Sequence, residues 1–412
     1  MICLIRRCFL GLFLLLVGWS CQNELPDPEG LQKDISVTYV PQEMDNRYIA
    51  VLSEKECKDK LVAVQSTTNF PDEKIPWEII GQFDVAEERI AHIYSNGFLG
   101  FSAYLTKEEV EKLDQSPFVL RVEKDVALNY PALNEKSGAK AAYVSPSTLK
   151  KGRGDLVPDG VKRVGGPVNY KGKNVVYIFD SGIDLKNKEL NVEVSRGFNG
   201  VYSGEDSKSL QDLNGHGTHV AGIIAAKMDG VGIAGVAAGA KVVPIKILDK
   251  NGNGTYSGVL AALDHIINDG CEGDVVNISL TGPPTTTLET SILKGAKKGI
   301  RFVFAAGNNS DDATNYSPGR LNGENLYTVS AMDENDVFAE FSNYGSPPID
   351  WCAPGVSVLS TWINDQYNFR DGTSYAAPHV SAMVLMGGPA KDGLVKNDPD
   401  GICDPIAVVK CP

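Results

Sequence analysis

The sequence predicts an α/β protein: a doubly wound, mostly parallel sheet preceded by a small α+β domain. Three observations carry this. From about Val161 onward, continuous apolar runs alternate with segments of helical period, as strands buried on both faces and their crossover helices do. Before that, residues 46–130 hold four strand-like runs around one short capped helix. Between the two, residues 131–156 are rich in Ala, Lys, Ser, Gly and Pro and read as a linker. A chain of 412 residues has room for two or three domains.

In the leading domain, residues 47–52 (RYIAVL), 88–94 (ERIAHIY), 101–105 (FSAYL) and 118–122 (FVLRV) are strand candidates. Thr106 followed by Glu109 forms a capping box, and Val110 with Leu113 gives the short helix an apolar stripe. In the second domain the expected strands are 173–179, 241–247, 274–280, 300–306 and 325–331. The expected helices are 216–226, 257–268 and 287–298. A further helix runs to about Met386 and is broken by Gly387-Gly388-Pro389; residues 391–412 read as a polar, turn-rich tail.

Lys and Arg number 39 against 52 Asp and Glu, for a net charge of −13. That argues against nucleic acid as a partner, since phosphate binding needs clustered cations. The one long apolar run is at the extreme N-terminus, so a multi-pass membrane protein is excluded. Residues 1–20 read as a signal peptide: Arg6 and Arg7, then an apolar stretch from Cys8 to Trp19. The segment ending at Cys21 resembles a bacterial lipoprotein signal, which makes Cys21 the expected lipidation site and residues 22–45 a tether. Simple cleavage, an uncleaved anchor and a twin-arginine leader are the alternatives. The expected location is extracytoplasmic, as a cell-envelope lipoprotein or a secreted protein, with membrane contact only through the anchor. Outside the signal and Cys57, four cysteines remain: Cys271, Cys352, Cys403 and Cys411. They allow two disulfides, Cys403 with Cys411 closing a short loop, or buried thiols. No C-x-x-C pair is present, which disfavours a zinc ribbon or a thioredoxin-type site.

Three places carry chemistry. Asp180 ends a strand run in the sequence FDSGID; His216 sits between glycines in NGHGTHVAG; Ser374 opens a helix in DGTSYAAPH. A serine hydroxyl is a poor nucleophile without a neighbouring base. Imidazole has one nitrogen to take the proton and one to be held, and a carboxylate can hold it. A serine at a helix start also has main-chain N–H groups at hand for an oxyanion. Of the other histidines, His92 and His265 read as structural. His219 forms H-x-x-H with His216 but lacks a third ligand, so no metal site is assigned. His379, five residues past Ser374, is turned about 140° round the helix and poorly aimed as the base.

Together DSGID, GHGTHVAGIIAA and GTSYAAPHVS resemble the subtilisin-like serine proteases, the subtilases, in motif and in the order Asp, His, Ser. The resemblance implies a subtilisin-like fold and peptide-bond hydrolysis through an acyl-enzyme, with polypeptide substrates. It implies that Asn308, in FAAGNN, supplies an oxyanion-hole N–H beside that of Ser374. It also implies that Ser279, Leu280, Thr281 and Gly282, with Ala306 and Gly307, line the substrate cleft, where the substrate backbone pairs as a strand. Thr281 stands where the family usually has glycine. The leading domain resembles the subtilase propeptide, a ferredoxin-like chaperone that acts as an intramolecular inhibitor, with cleavage expected within 129–156. Residues 227–232 are short where subtilisins carry a calcium loop. The chemistry needs no cofactor, and structural calcium is left open without an identifiable site. A catalytically silent binding protein on the same fold is the rival reading.

Overall fold

The structure is a computed structural model and describes residues 42–65, 74–129 and 155–410. The expected leader with Cys21, the tether to residue 41 and residues 131–154 of the expected linker lie outside them.

The leading domain runs β1 (Gln42–Leu52), α1 (Glu54–Gln65), α2 (Ile75–Ile80), β2 (Ile90–Tyr94), β3 (Gly100–Tyr104), α3 (Lys107–Asp114) and β4 (Val119–Asn129). Its strands pair antiparallel in the order β4-β1-β3-β2, with Ala50 opposite Phe101. Side chains alternate across a strand, so β1 feeds two cores. Ala50 and Leu52 join Phe101, Ala103, Ile79 and Leu113 in the domain's own core. Ile49 and Val51 point the other way, with Tyr94 and Phe98, into the core of the second domain. Helix α3 carries the expected capping box: Thr106 Oγ1 accepts from the Glu109 N–H at 3.2 Å, and Glu109 Oε2 accepts from the Thr106 N–H at 2.7 Å. Helices α1 and α2 add to the one helix expected here, and β1 starts inside the segment read as a tether.

The second domain opens with α4 (Asp159–Arg163) and β5 (Val168–Asn169), then β6 (Val176–Asp180) and the short β7 (Asn191–Val192) and β8 (Phe198–Asn199). Helix α5 (His216–Ala225) follows, then β9 (Ala237–Ala238), β10 (Lys241–Lys246), β11 (Asn253–Thr255), α6 (Tyr256–Asp269), β12 (Val275–Ile278) and α7 (Thr286–Lys297). The chain continues through β13 (Arg301–Ala305), β14 (Leu326–Met332), β15 (Ile349–Pro354), β16 (Val358–Trp362), β17 (Gln366–Arg370) and α8 (Thr373–Leu385). It ends with β18 (Pro389–Leu394) and β19 (Pro405–Val409). The main sheet has the order β18-β19-β15-β14-β13-β12-β6-β10-β7 and is parallel except for β18. Helices α5 and α8 cover one face through Val220, Ile224, Val380 and Val384. Helices α6 and α7 cover the other through Leu260, Leu263, Ile266 and Ile292. This is the doubly wound α/β architecture the alternating runs predict. β6 is flanked by β10 on one side and β12 on the other, so the chain reverses its direction of travel across the sheet there. Crevices at such switch points, beyond the carboxyl ends of the strands, are where α/β proteins bind ligands.

Two features depart from expectation. The stretch read as a polar tail forms β18 and β19, and β19 extends the sheet beside β15. The edge strand β18 needs few apolar residues, and its Lys391 and Asp392 face solvent; β19 inside it is a short apolar run whose Ile406 and Ala407 are buried. Cys57, Cys271 and Cys352 carry free thiols, so Cys271 and Cys352 make no disulfide; Cys403 is disulfide-bonded.

The two domains meet along a polar seam as well as an apolar one. β4 pairs antiparallel with β11, Leu128 opposite Gly254, so the second domain adds a strand to the first domain's sheet. Asp125, wholly buried, accepts from the N–H of Ser257 at 3.0 Å and its hydroxyl at 2.6 Å, at the N-terminus of α6. The same carboxylate pairs with Arg47 at 2.7 Å. Asp264 of α6 accepts in return from the N–H groups of Ser95, Asn96 and Gly97 at 2.6–2.9 Å.

Candidate active site

Asp180 is the last residue of β6 and is buried. His216 is the first residue of α5, and its Nδ1 lies 2.8 and 2.7 Å from the two carboxylate oxygens of Asp180. The approach is set by glycines on either side. Gly215, the helix N-cap, has φ of +112°, a left-handed conformation that glycine adopts without strain. At Gly217 a Cβ would overlap the Gly182 carbonyl and sit 3.0 Å from the Asp180 Cβ, so any side chain would push α5 off the carboxylate.

A second carboxylate, which sequence reasoning passed over, ties these parts together. Asp212 Oδ1 accepts from the N–H groups of Asn214 and Gly215 at 2.9 and 2.8 Å and from the Ser181 hydroxyl at 2.9 Å. Its Oδ2 accepts from Thr218 N–H at 3.0 Å and Oγ1 at 2.6 Å. Burial raises the Asp212 pKa, and these donors oppose the rise. Ser181 in turn donates its N–H to Asp180 Oδ1 at 2.7 Å. Below them Lys246, fully buried, donates to the Ser181 carbonyl at 2.5 Å and pairs with Asp206 at 3.0 Å. Asp212 lies three residues before the N-cap Gly215, outside the position where capping rules look for a side chain, so the sequence carried no signal for it.

Ser374 is the second residue of α8 and is buried. Its hydroxyl donates to the Ser279 carbonyl at 3.1 Å, and the Ser279 hydroxyl donates to the Ser374 carbonyl at 3.0 Å. Tyr375 next to it has its ring 5.2 Å from that of His216, which places the start of α8 beside the start of α5. Asn308 Oδ1 accepts from the Thr373 N–H at 2.8 Å and its hydroxyl at 2.9 Å. That donor pair fixes the amide so that its NH₂ faces away from Thr373.

Residues 279–282 leave the end of β12. Ser279, Leu280 and Gly282 are buried and Thr281 is half-buried. Gly282 exchanges main-chain hydrogen bonds with Ser317 at 2.8 and 2.9 Å. A Cβ on Gly282 would overlap the Tyr256 hydroxyl and meet Leu128 Cδ2 at 3.1 Å, so the side chains of Tyr256 and Leu128 both lie against this glycine. Ala306 is buried, and Gly307, at φ +109°, sits against Asn343, whose amide donates to the Ala306 carbonyl at 3.0 Å.

The remaining histidines are engaged elsewhere. His219 Nε2 lies 2.9 Å from the Asn368 carbonyl, and burial lowers its pKa to about 3. His379 Nδ1 lies 2.8 Å from the Tyr375 carbonyl, and burial holds it at about 4. His265 Nε2 lies 3.0 Å from the Arg196 carbonyl, and His92 packs against Tyr94 and Tyr202. Around residues 227–232 the carboxylates serve the chain: Asp155 takes the Gly230 N–H at 2.8 Å and Glu189 that of Ile233 at 3.0 Å. Among the described residues no group of three His, Cys, Asp or Glu side chains is placed to hold a metal ion.

A carboxylate-held imidazole, a serine at a helix N-terminus and an oriented amide, gathered at the switch point of a parallel sheet, are parts that a serine hydrolase requires. The comparisons narrow that class. Residues 172–387 match the model of the Subtilase family, and residues 47–130 match that of Peptidase inhibitor I9. The chain is 31% identical to an extracellular serine proteinase of a Thermus species over 390 residues, 91% of this chain and 89% of that one. It is 35% identical to subtilisin-like protease 2 of Pseudogymnoascus destructans, covering 73% of this chain and 71% of the relative. A solved cold-adapted subtilisin-like serine proteinase superposes with a TM-score of 0.54 at 28% identity, over 63% of this chain and all of that one. The chain belongs to the subtilase family of serine endopeptidases and carries an inhibitor-type propeptide domain in front of the catalytic domain.

Proposed function

We propose that this chain is an exported serine endopeptidase made as a self-processed zymogen, with Asp180, His216 and Ser374 as its catalytic triad. The observation that supports this most is the Asp180–His216 contact beside the start of the helix that bears Ser374. Asp180 holds Nδ1, which makes Nε2 the base. Nε2 takes the Ser374 proton as the hydroxyl turns from the Ser279 carbonyl to attack the scissile carbonyl. The same imidazolium then returns the proton to the leaving amine. Asn308 Nδ2 and the Ser374 N–H receive the developing oxyanion, each such donor contributing about 3–4 kcal/mol. Every group in this scheme is a side chain or a main-chain amide, so the chemistry calls for no cofactor.

Ser279, Leu280, Thr281 and Gly282 form the edge along which substrate backbone pairs, with Ala306 and Gly307 across the cleft. The seat of Leu128 against Gly282 and the β4–β11 pairing support the propeptide tail as an occupant of this cleft. Processing then falls in the chain that follows, within 129–156. An exported location agrees with the leader and with the printed name of the Thermus relative. Among the described residues no helix is long and apolar enough to cross a membrane. Lipidation at Cys21 supplies the anchor, and a mature mass without lipid would leave a secreted enzyme. The triad is tested by labelling with a fluorophosphonate: wild type should react, and Ser374→Ala should not. Equal labelling of both would remove Ser374 as the nucleophile.

A further inference from the structure

Arg370 is an anomaly four residues before Ser374. It is only 6% exposed, yet its Nε has no hydrogen-bond partner, and no carboxylate of the described residues pairs with it. Its neighbour Asp371 is spent on the Ser357 N–H at 2.6 Å. The guanidinium lies over the Trp362 ring, 4.5 Å from its centroid. Beside it on the same face of β17 is Asn368, fully buried, with neither side-chain atom hydrogen-bonded. Buried polar groups are almost always paired, and a buried cation left without an anion is costly. Stacking on Trp362 offsets part of that cost but supplies no hydrogen bond to the guanidinium plane.

The position matters as much as the vacancy in its hydrogen bonding. Trp362 occupies the space a Cβ would take on Gly215, the residue before His216. The hairpin β16–β17 is tied to α5: Ser360 and Thr361 donate to the carbonyls of His219 and Thr218 at 2.7 and 2.8 Å. It pairs with neither β11 nor residues 279–282, the flank where Leu128 of the propeptide is seated. In the cleft proposed above, that flank takes the part of a substrate before the scissile bond. His216 hands its proton to the amine on the other side.

We propose that Arg370 receives a carboxylate side chain of the substrate within the first two residues after the scissile bond, so that the enzyme selects acidic leaving-side sequences. The inference rests on the triad proposed above. A guanidinium is suited to it because its N–H fork matches a carboxylate and its charge is fixed at any pH.

The test uses internally quenched peptides with amidated C-termini, identical except for Glu, Gln or Lys after the cut. Wild type should favour Glu by about 10- to 100-fold in kcat/KM, the range of a charge-assisted hydrogen bond. In Arg370→Gln that ratio should fall to about one, and Arg370→Glu should turn the preference toward Lys. Each ratio is taken within one enzyme, so a loss of folded protein cancels. Equal cleavage of both peptides by wild type, or a Glu preference that survives Arg370→Gln, overturns the proposal. If wild type cleaves neither peptide and takes no fluorophosphonate, the triad itself is wrong and the inference falls with it.

Discussion

The two domains solve the same problem in different ways. The catalytic domain covers its parallel sheet on both faces with its own helices, α5 and α8 on one side, α6 and α7 on the other. The propeptide domain covers one face of its sheet and leaves Ile49, Val51, Tyr94 and Phe98 to be buried against the catalytic domain. Burial of a side chain of this size contributes about 1.5–3 kcal/mol. Separated from that surface, the domain would keep its own core but expose these four side chains to water. The propeptide therefore draws part of its burial from the domain it covers, as a bound inhibitor can afford to do and an enzyme scaffold cannot.

The largest expected effect separates chemistry from this architecture. Ser374→Ala or His216→Ala should cost about 10⁶ in kcat, a magnitude taken over from subtilisin. Both variants should keep the propeptide seated, because none of the seam contacts involves them. Steady-state hydrolysis together with thermal unfolding of the intact chain checks this; turnover within tenfold of wild type in either variant would refute their roles.

Next comes the seam. Asp125→Ala leaves Arg47 buried without its partner and the N–H and hydroxyl of Ser257, in the first turn of α6, without their acceptor. Breaking a buried pair in this way costs about 3–5 kcal/mol. In a Ser374→Ala background, hydrogen exchange should then rise across β1 to β4 while β6, β12 and β13 stay protected. Uniform loss of protection in both domains would contradict the claim that one leans on the other.

Within the catalytic domain, Asp212→Ala should loosen the start of α5 and lower kcat more than it raises KM. Five hydrogen bonds meet at that carboxylate, and the loss expected is about 1–3 kcal/mol per unsatisfied donor that stays buried. An unchanged kcat in a folded Asp212→Ala would break the assignment.

The smallest effect lies at the far edge of the sheet. Burial, then the neighbouring charge of Asp398, pushes the Asp404 carboxyl up to about 8, and burial pushes Asp398 up to about 6. Asp404 accepts from the Ser330 hydroxyl at 2.5 Å. Folded protein thus holds protons there that unfolded chain, with carboxylates near 4, would release. The stabilisation is complete below about pH 4 and is lost as pH rises toward 8. Exchange in β19 should quicken between pH 5 and 8 relative to β6, and Asp404→Asn should flatten that slope. No slope in the wild type would count against the buried proton.

Much of this was legible in the sequence, for a physical reason. Asp180, His216 and Ser374 each sit in a short contiguous motif at the end of an element, where glycines permit close approach, so local sequence carries the site. The apolar runs of β6, β12 and β13 are buried on both faces and read as continuous. What escaped depends on distant partners. Arg370 looks like a surface charge until β17 folds beside β16 and brings it over Trp362. Residues 389–394 look polar because that edge strand faces solvent, and the five-residue apolar run 405–409 is too short to stand out among its turn-rich neighbours. The first turns of helix α1 are charged and mark no apolar period, and among its described side chains Cys57 enters the propeptide core.

The central claim is that Ser374 is the nucleophile of an enzyme that frees itself from its own propeptide. The most direct measurement is the intact mass of the purified chain from Gln22 onward, as wild type and as Ser374→Ala. Wild type should lose an N-terminal piece ending within 129–156 while Ser374→Ala stays whole. Cleavage of Ser374→Ala at the same bond, in the absence of any other protease, would contradict it.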